Sequence, residues 1–139
     1  MLKILIDTDV VLNVLLREEP FFETSLEVFI RLEQEEICGF ITATTMTNIY
    51  YIARKRVGSG AARICVKKLL ETRGLKFLSV DERVLRSAES SGMTDFEDAV
   101  QAMAANVAGL DYIVTRNQRD FQVSPITAVS PEELLEKLN

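Results

Sequence analysis

Short apolar runs alternate with stretches of helical periodicity along this chain, and that alternation restricts the fold more than any other feature. Leu2–Ile6 (LKILI), Ile37–Ile41, Leu75–Val80 (LKFLSV), Asp111–Thr115 (DYIVT) and Ile126–Val129 are too short for stable helices and too continuously apolar for half-exposed strands. Most are separated by segments whose apolar residues recur every three to four positions, as an amphipathic helix requires. Strands joined through helices pair in parallel, so the pattern predicts an α/β fold: a parallel sheet of four to five strands between two helical layers, one domain over residues 1–139.

Local signals set the expected helix ends. Thr8 or Asp9 is expected to cap a first helix over Val10–Leu16, closed by Pro20, and Phe21–Glu35 follows with Phe22, Leu26, Phe29, Ile30 and Leu32 inward. Thr44–Val57 and Ser59–Arg73 form the next two, with Gly74 as the stop, and Asp81 caps a helix that runs to Ser90. Thr94 with Glu97 makes a capping box, so a helix is expected from Asp95 with Phe96, Ala99, Val100, Met103, Ala104 and Val107 inward. Ser130-Pro131-Glu132-Glu133 is a second box, with proline in the first helical position.

Composition removes much of the usual enzyme chemistry. With no His, the chain has no Ser-His-Asp or Cys-His nucleophile, no imidazole general acid or base and no imidazole-ligated zinc. Cys38 and Cys65 stand far apart, outside any Cys-x-x-Cys spacing, which suits a reduced, cytoplasmic setting. Asp7 and Asp9 interrupt the N-terminal apolar run before it could serve as a signal-peptide core, and no membrane contact is expected. Charge is uneven: Arg54 to Lys76 holds eight basic residues against Glu71 alone, whereas the rest of the chain holds eight basic and 20 acidic residues. Such a basic segment is either a solvated helix face or a footprint for a polyphosphate strand.

In parallel α/β sheets, ligands bind beyond the C-terminal strand edge. That edge selects Asp7, Thr42 and the Thr115–Asp120 loop, with Asp95 and Asp98 one turn apart on a nearby helix. Each acid has an ordinary explanation as a helix cap, a first-turn charge or a turn former. Together they form a group of like charges that needs a proton or a cation to offset it, and oxygen ligands suit Mg²⁺ or Mn²⁺.

The strand ending Ile6-Asp7-Thr8, the helix entered through Thr44-Thr45-Met46-Thr47-Asn48-Ile49-Tyr50, the stretch Asp95-Phe96-Glu97-Asp98-Ala99 and the closing Thr115-Arg116-Asn117 with Asp120-Phe121 resemble, in order, the PIN domain family. The resemblance is greatest to small stand-alone members that include the VapC-type toxins. It implies a metal-dependent endoribonuclease, using Mg²⁺ or Mn²⁺, that hydrolyses RNA phosphodiester bonds and is the toxin of a toxin–antitoxin pair. Asp7 then matches the first acidic ligand, Asp98 the helical one and Asp95 an extra acid found in some members; Asp120 completes the negative charge.

Asn117 stands where many members have Asp, and Asn48 where the family usually has Glu. Amides contribute no negative charge, so both departures lower the expected affinity for a cation, and both side chains are expected to position water or substrate. Hydroxyls of Thr8, Thr45 and Thr115 are expected to bond the scissile phosphate, with Arg54, Lys55, Arg56, Arg116 and Arg119 on neighbouring phosphates. An antitoxin protein and a homodimeric partner are further implications of the resemblance. Two alternatives stay open: a PIN-fold module that binds RNA or protein without cutting, and a haloacid-dehalogenase-like phosphatase using Asp7 and Asp9 of an Asp-x-Asp motif.

Overall fold

A computed structural model describes residues 1–139. It contains five strands, β1 (Leu2–Ile6), β2 (Ile37–Thr42), β3 (Leu75–Leu78), β4 (Tyr112–Val114) and β5 (Thr127–Val129). Seven helices accompany them: α1 (Thr8–Leu15), α2 (Phe22–Glu33), α3 (Ala43–Val57), α4 (Ser59–Leu70), α5 (Glu82–Glu89), α6 (Phe96–Val107) and α7 (Pro131–Leu138). All strand pairs are parallel, and the sheet order is β3-β2-β1-β4-β5. The expected α/β architecture is therefore present, with strand five included.

This order has a direct consequence for where chemistry can sit. From β1 the chain builds outward through β2 and β3 on one side, then returns to place β4 and β5 on the other. The connections leave the C-terminal ends of β1 and β4 in opposite directions, which opens a crevice between them. Asp7 and Thr115, the residues following these two strands, stand at its mouth, and the Asp7 N–H donates to Val114 O at 2.9 Å.

Alternation along β1 builds both layers. Ile4 and Ile6 point into a core shared with Val10, Val28, Leu32, Ile49, Leu69 and Leu134, whereas Leu5 faces Ala102, Ala105, Ile113 and Phe121. A third cluster seats α5 on α6 through Val84, Ala88, Ala99, Val100 and Ala104. Because α6 lies between the sheet and α5, small residues cover a wide arc of it and let both neighbours approach. The expected inward stripe is corrected accordingly: Phe96 and Val107 are each 51 % exposed, and Ala102, Ala105 and Gln101 are buried instead.

Two helix starts also differ from expectation. Asp7, rather than Thr8 or Asp9, caps α1, its carboxylate accepting from the Thr8 N–H at 2.8 Å. At α6 the cap is Asp95, not Thr94: its side chain accepts from the Asp98 N–H at 2.9 Å, which moves the helix start one residue downstream and releases Glu97 from the reciprocal bond of a capping box. The box at Ser130 and Glu133 forms as expected, with Pro131 in the first helical position. Gly74, with φ of +83°, lies in the turn between α4 and β3 and packs so close to Leu32 that a Cβ would collide with that residue's carbonyl oxygen.

Candidate active site

Asp7 is the best-anchored acid of the chain, only 7 % exposed. Its Oδ1 accepts from the Thr8 N–H and from Gln101 Nε2 at 2.9 Å, and its Oδ2 accepts from Thr115 Oγ1 at 2.7 Å. A carboxylate has roughly four acceptor directions, so this arrangement fixes the group and leaves it room for one further partner.

The donors to Asp7 are themselves held. Gln101, 0 % exposed, accepts from Thr45 Oγ1 at 3.3 Å, and Thr45 in turn accepts from Thr42 Oγ1 at 2.9 Å. Thr115 Oγ1 accepts the Asn117 N–H at 3.0 Å. A continuous polar line thus runs from the end of β2 through α6 to the end of β1, each bond polarising the next. Thr45 supports this line from behind; its hydroxyl is committed to Gln101 rather than offered to a substrate.

Around Asp7 the acids accumulate. Asp95, Asp98, Arg119 and Asp120 line one cleft of about 500 Å³ with Thr94 and Gln122. Carboxylate oxygens of Asp95, Glu97 and Asp98 all lie within 4.8 Å of one another. Burial, followed by the charges of Asp7, Asp95, Glu97 and Asp120, pushes Asp98 up to about 7. Glu97 is likewise raised, first by burial and then by Asp7 and Asp95, against a lowering contribution from the Asn48 side chain. Asp9, beside Asp7, is pushed up to about 6, mainly by burial and then by the Asp7 charge.

Burial is the largest cause of each displacement, and the negative charges that these acids impose on one another add to it. Only oxygen donors line the cluster, with no imidazole or thiolate near it, and Asp9 Oδ1 is a buried acceptor with no partner. Excess charge, hard donors and an orphaned acceptor fit a hard divalent cation.

Without such a cation, acid should stabilise the protein. Asp98 ionises near 3.8 ordinarily and near about 7 in the fold, so between those pH values the folded chain holds a proton that the unfolded chain has released. Chelator-treated protein should accordingly gain resistance to urea as pH falls from 8 to 5.5, and Asp98→Asn should remove most of that slope. A urea midpoint equally steep in pH for the parent and the variant would refute this account.

Of the other residues singled out from sequence, some join the pocket and some do not. Asn48 reaches it, beside Glu97. Asn117 is committed to Asp9, donating through Nδ2 to its Oδ2 at 2.8 Å. Thr8 Oγ1 is buried without a partner. Arg54 stacks over Tyr51, Lys55 is exposed, and Arg56 pairs with Glu18, which follows α1.

Arg116 is committed to the fold: it donates to Asn13 Oδ1 and Ser25 Oγ at 2.9 Å each and to Glu132 Oε1 at 2.9 Å, and it covers the Phe21 ring. Gln101 and Glu97 were not singled out as site residues. The signal for Gln101 is an amide on an otherwise Ala/Val-rich helix face, one turn after Glu97 and Asp98.

A parallel sheet with an acid-lined crevice at its switch point defines a class of α/β proteins whose ligand site lies at that edge. Residues 3–119 match the family model of the PIN domain, and the chain belongs to that family of nucleases. Solved structures with the same fold include the DNA-bound VapBC of Salmonella typhimurium (23 % identity, TM-score 0.72, covering 94 % of this chain and 99 % of that one). VapBC2 of Rickettsia felis, bound to a promoter DNA fragment, aligns with 13 % identity and a TM-score of 0.70 over 93 % of this chain and 98 % of that one. VapC20 of Mycobacterium tuberculosis, a sarcin-ricin loop cleaving toxin, aligns with 13 % identity and a TM-score of 0.65 over 79 % and 86 %. A search of curated proteins finds no matching sequence. The family match over most of the chain sets aside the phosphatase alternative, and no helix is long and apolar enough to cross a membrane.

Proposed function

We propose that this chain is a Mg²⁺- or Mn²⁺-dependent endoribonuclease acting as the toxin of a toxin–antitoxin pair. The observation that carries the reading is that Asp98 and Asp120, from separated segments, line one cleft with Asp95, and that Asp98 there also lies within reach of the Asp7 charge. Relatives of the same fold that cut RNA or are found with antitoxins support it.

Asp7 and Asp98 would hold the cation, and Asp120 and Asp95 would add negative charge around it. The cation would neutralise charge on the phosphoryl oxygens and acidify water at neutral pH. Thr115 and Gln101 keep the Asp7 carboxylate in one orientation, so the pocket is organised before substrate arrives. Asn117 holds Asp9 rather than meeting substrate directly. The Thr8 hydroxyl is buried rather than open to a phosphate oxygen, and Arg119 on the rim would face the adjacent phosphates.

Arg54 and Lys55 extend the contact along α3, the segment where positive charge concentrates. We place the protein in the cytoplasm, where its two cysteines stay free, as a homodimer neutralised by an antitoxin. Of the apolar residues on α1 and at the start of α2, Val11 and Leu12 are core, Leu15, Leu16 and Phe22 half-buried, and Phe21 exposed.

The test is cleavage of end-labelled RNA with Mn²⁺, with Mg²⁺ and with excess EDTA, alongside a small phosphomonoester. Cleavage is expected with either metal and none with EDTA, and the phosphomonoester should remain intact. RNA that is bound yet never cut, or cutting indifferent to EDTA, would overturn the proposal.

A further inference from the structure

The carboxylate expected at position 48 is absent, and the fold brings a different one to the same place. The Thr45–Gln101 bond joins α3 to α6 one turn from Asn48 and one turn from Glu97, and Glu97 has no capping duty because Asp95 has taken over the helix start. Gln101 Nε2 is shared between Asp7 Oδ1 at 2.9 Å and Glu97 Oε1 at 3.4 Å, which sets Glu97 on the side of α6 that looks at Asp7.

Neighbouring helix residues point about 100° apart and do not ordinarily meet. Glu97 and Asp98 nonetheless bring oxygens within 4.8 Å of each other and of Asp95. From the opposite side, Thr45 of α3 bonds Gln101 of α6 at 3.3 Å, and Asn48 and Glu97 each lie about one helical turn from that contact.

We propose that Glu97 supplies the carboxylate missing from position 48 and binds the divalent cation together with Asp7 and Asp98, with Asn48 as the residue that positions it. This rests on the metal-dependent reading above and adds a specific ligand to it. The negative charge has moved from α3 to α6, while the amide left behind on α3 has become the glutamate's support. A Mg²⁺ site that keeps several waters needs only a few carboxylates, and the exchange restores that number.

The experiment is a calorimetric titration of the whole chain with Mn²⁺, checked by the paramagnetic resonance signal of free Mn²⁺, on the parent, Glu97→Gln, Asp98→Asn and the double variant Asn48→Glu with Glu97→Gln. Glu97→Gln should weaken Mn²⁺ binding by at least about tenfold. Moving the carboxylate back to α3 in the double variant should recover most of that loss. Should Glu97→Gln fail to fold, Glu97→Asp keeps the charge and shortens its reach, and it should also lose affinity.

If Glu97→Gln binds Mn²⁺ as the parent does while Asp98→Asn does not, Glu97 is a wall of the pocket and the proposal is overturned with the metal centre intact. If neither variant alters Mn²⁺ binding, the metal-dependent reading itself fails and this inference with it.

Discussion

Asp98→Asn is expected to lower metal-dependent RNA cleavage by at least about a hundredfold, since even outer-shell partners of bound metals cost ten- to a hundredfold when lost. The fold should survive, because the substitution removes a charge that the ion-free protein holds at a cost: burial and four neighbouring acids already oppose its ionisation. Melting should therefore be unchanged or slightly improved in chelator.

Asp7→Asn should be equally inactive but slightly less stable. Asn still caps a helix with its oxygen in the place of Oδ1, yet its NH₂ would take the place of Oδ2 and face Thr115 Oγ1, which now donates to a carboxylate oxygen. RNA cleavage by a folded Asp98→Asn protein at near-parental rate would reject the assignment of this crevice as the active site.

The second large effect is structural and lies at Arg116. Its guanidinium joins the β4 exit to α1 through Asn13, to α2 through Ser25 and the Phe21 carbonyl, and to α7 through Glu132, and it is only 14 % exposed. Arg116→Met should lose about 3 kcal/mol, because Asn13 and Ser25 would keep buried polar atoms whose charged partner is gone. For a chain of this size that corresponds to a fall of roughly 10 °C in Tm. Lysine should not rescue it, since one ammonium cannot reproduce the planar fork. A variant that melts as the parent does but binds RNA more weakly would return Arg116 to the role of phosphate ligand expected from its sequence position.

These residues show where sequence reasoning succeeds and where it stops. The strand runs, the acid after β1 and the acid in the first turn of α6 follow from periodicity and local chemistry, and the fold keeps each of them. Side-chain commitment is decided by neighbours distant along the chain. Arg116 lies in a polar loop beside Asn117 and resembles any surface cation until α1, α2 and α7 close around it.

Glu97 was hidden for a different reason. Thr94 and Asp95 are both acceptable caps, differing by a few tenths of a kcal/mol in isolation, and the choice between them decides whether Glu97 closes a box or turns to the crevice. Gln101 carries no charge, so nothing local distinguishes it from a solvated polar residue before the sheet covers it.

One residue terminates the central strand, opens the first helix and anchors the acidic crevice, and this triple employment of Asp7 limits how the molecule can change. Divergent copies of this chain have little freedom at that position: a substitution that spares the architecture must keep a short polar acceptor, and one that spares the chemistry must keep its charge. Drift should collect instead along the outer helices, leaving position 7 as the point where inheritance of shape and inheritance of activity cannot be separated.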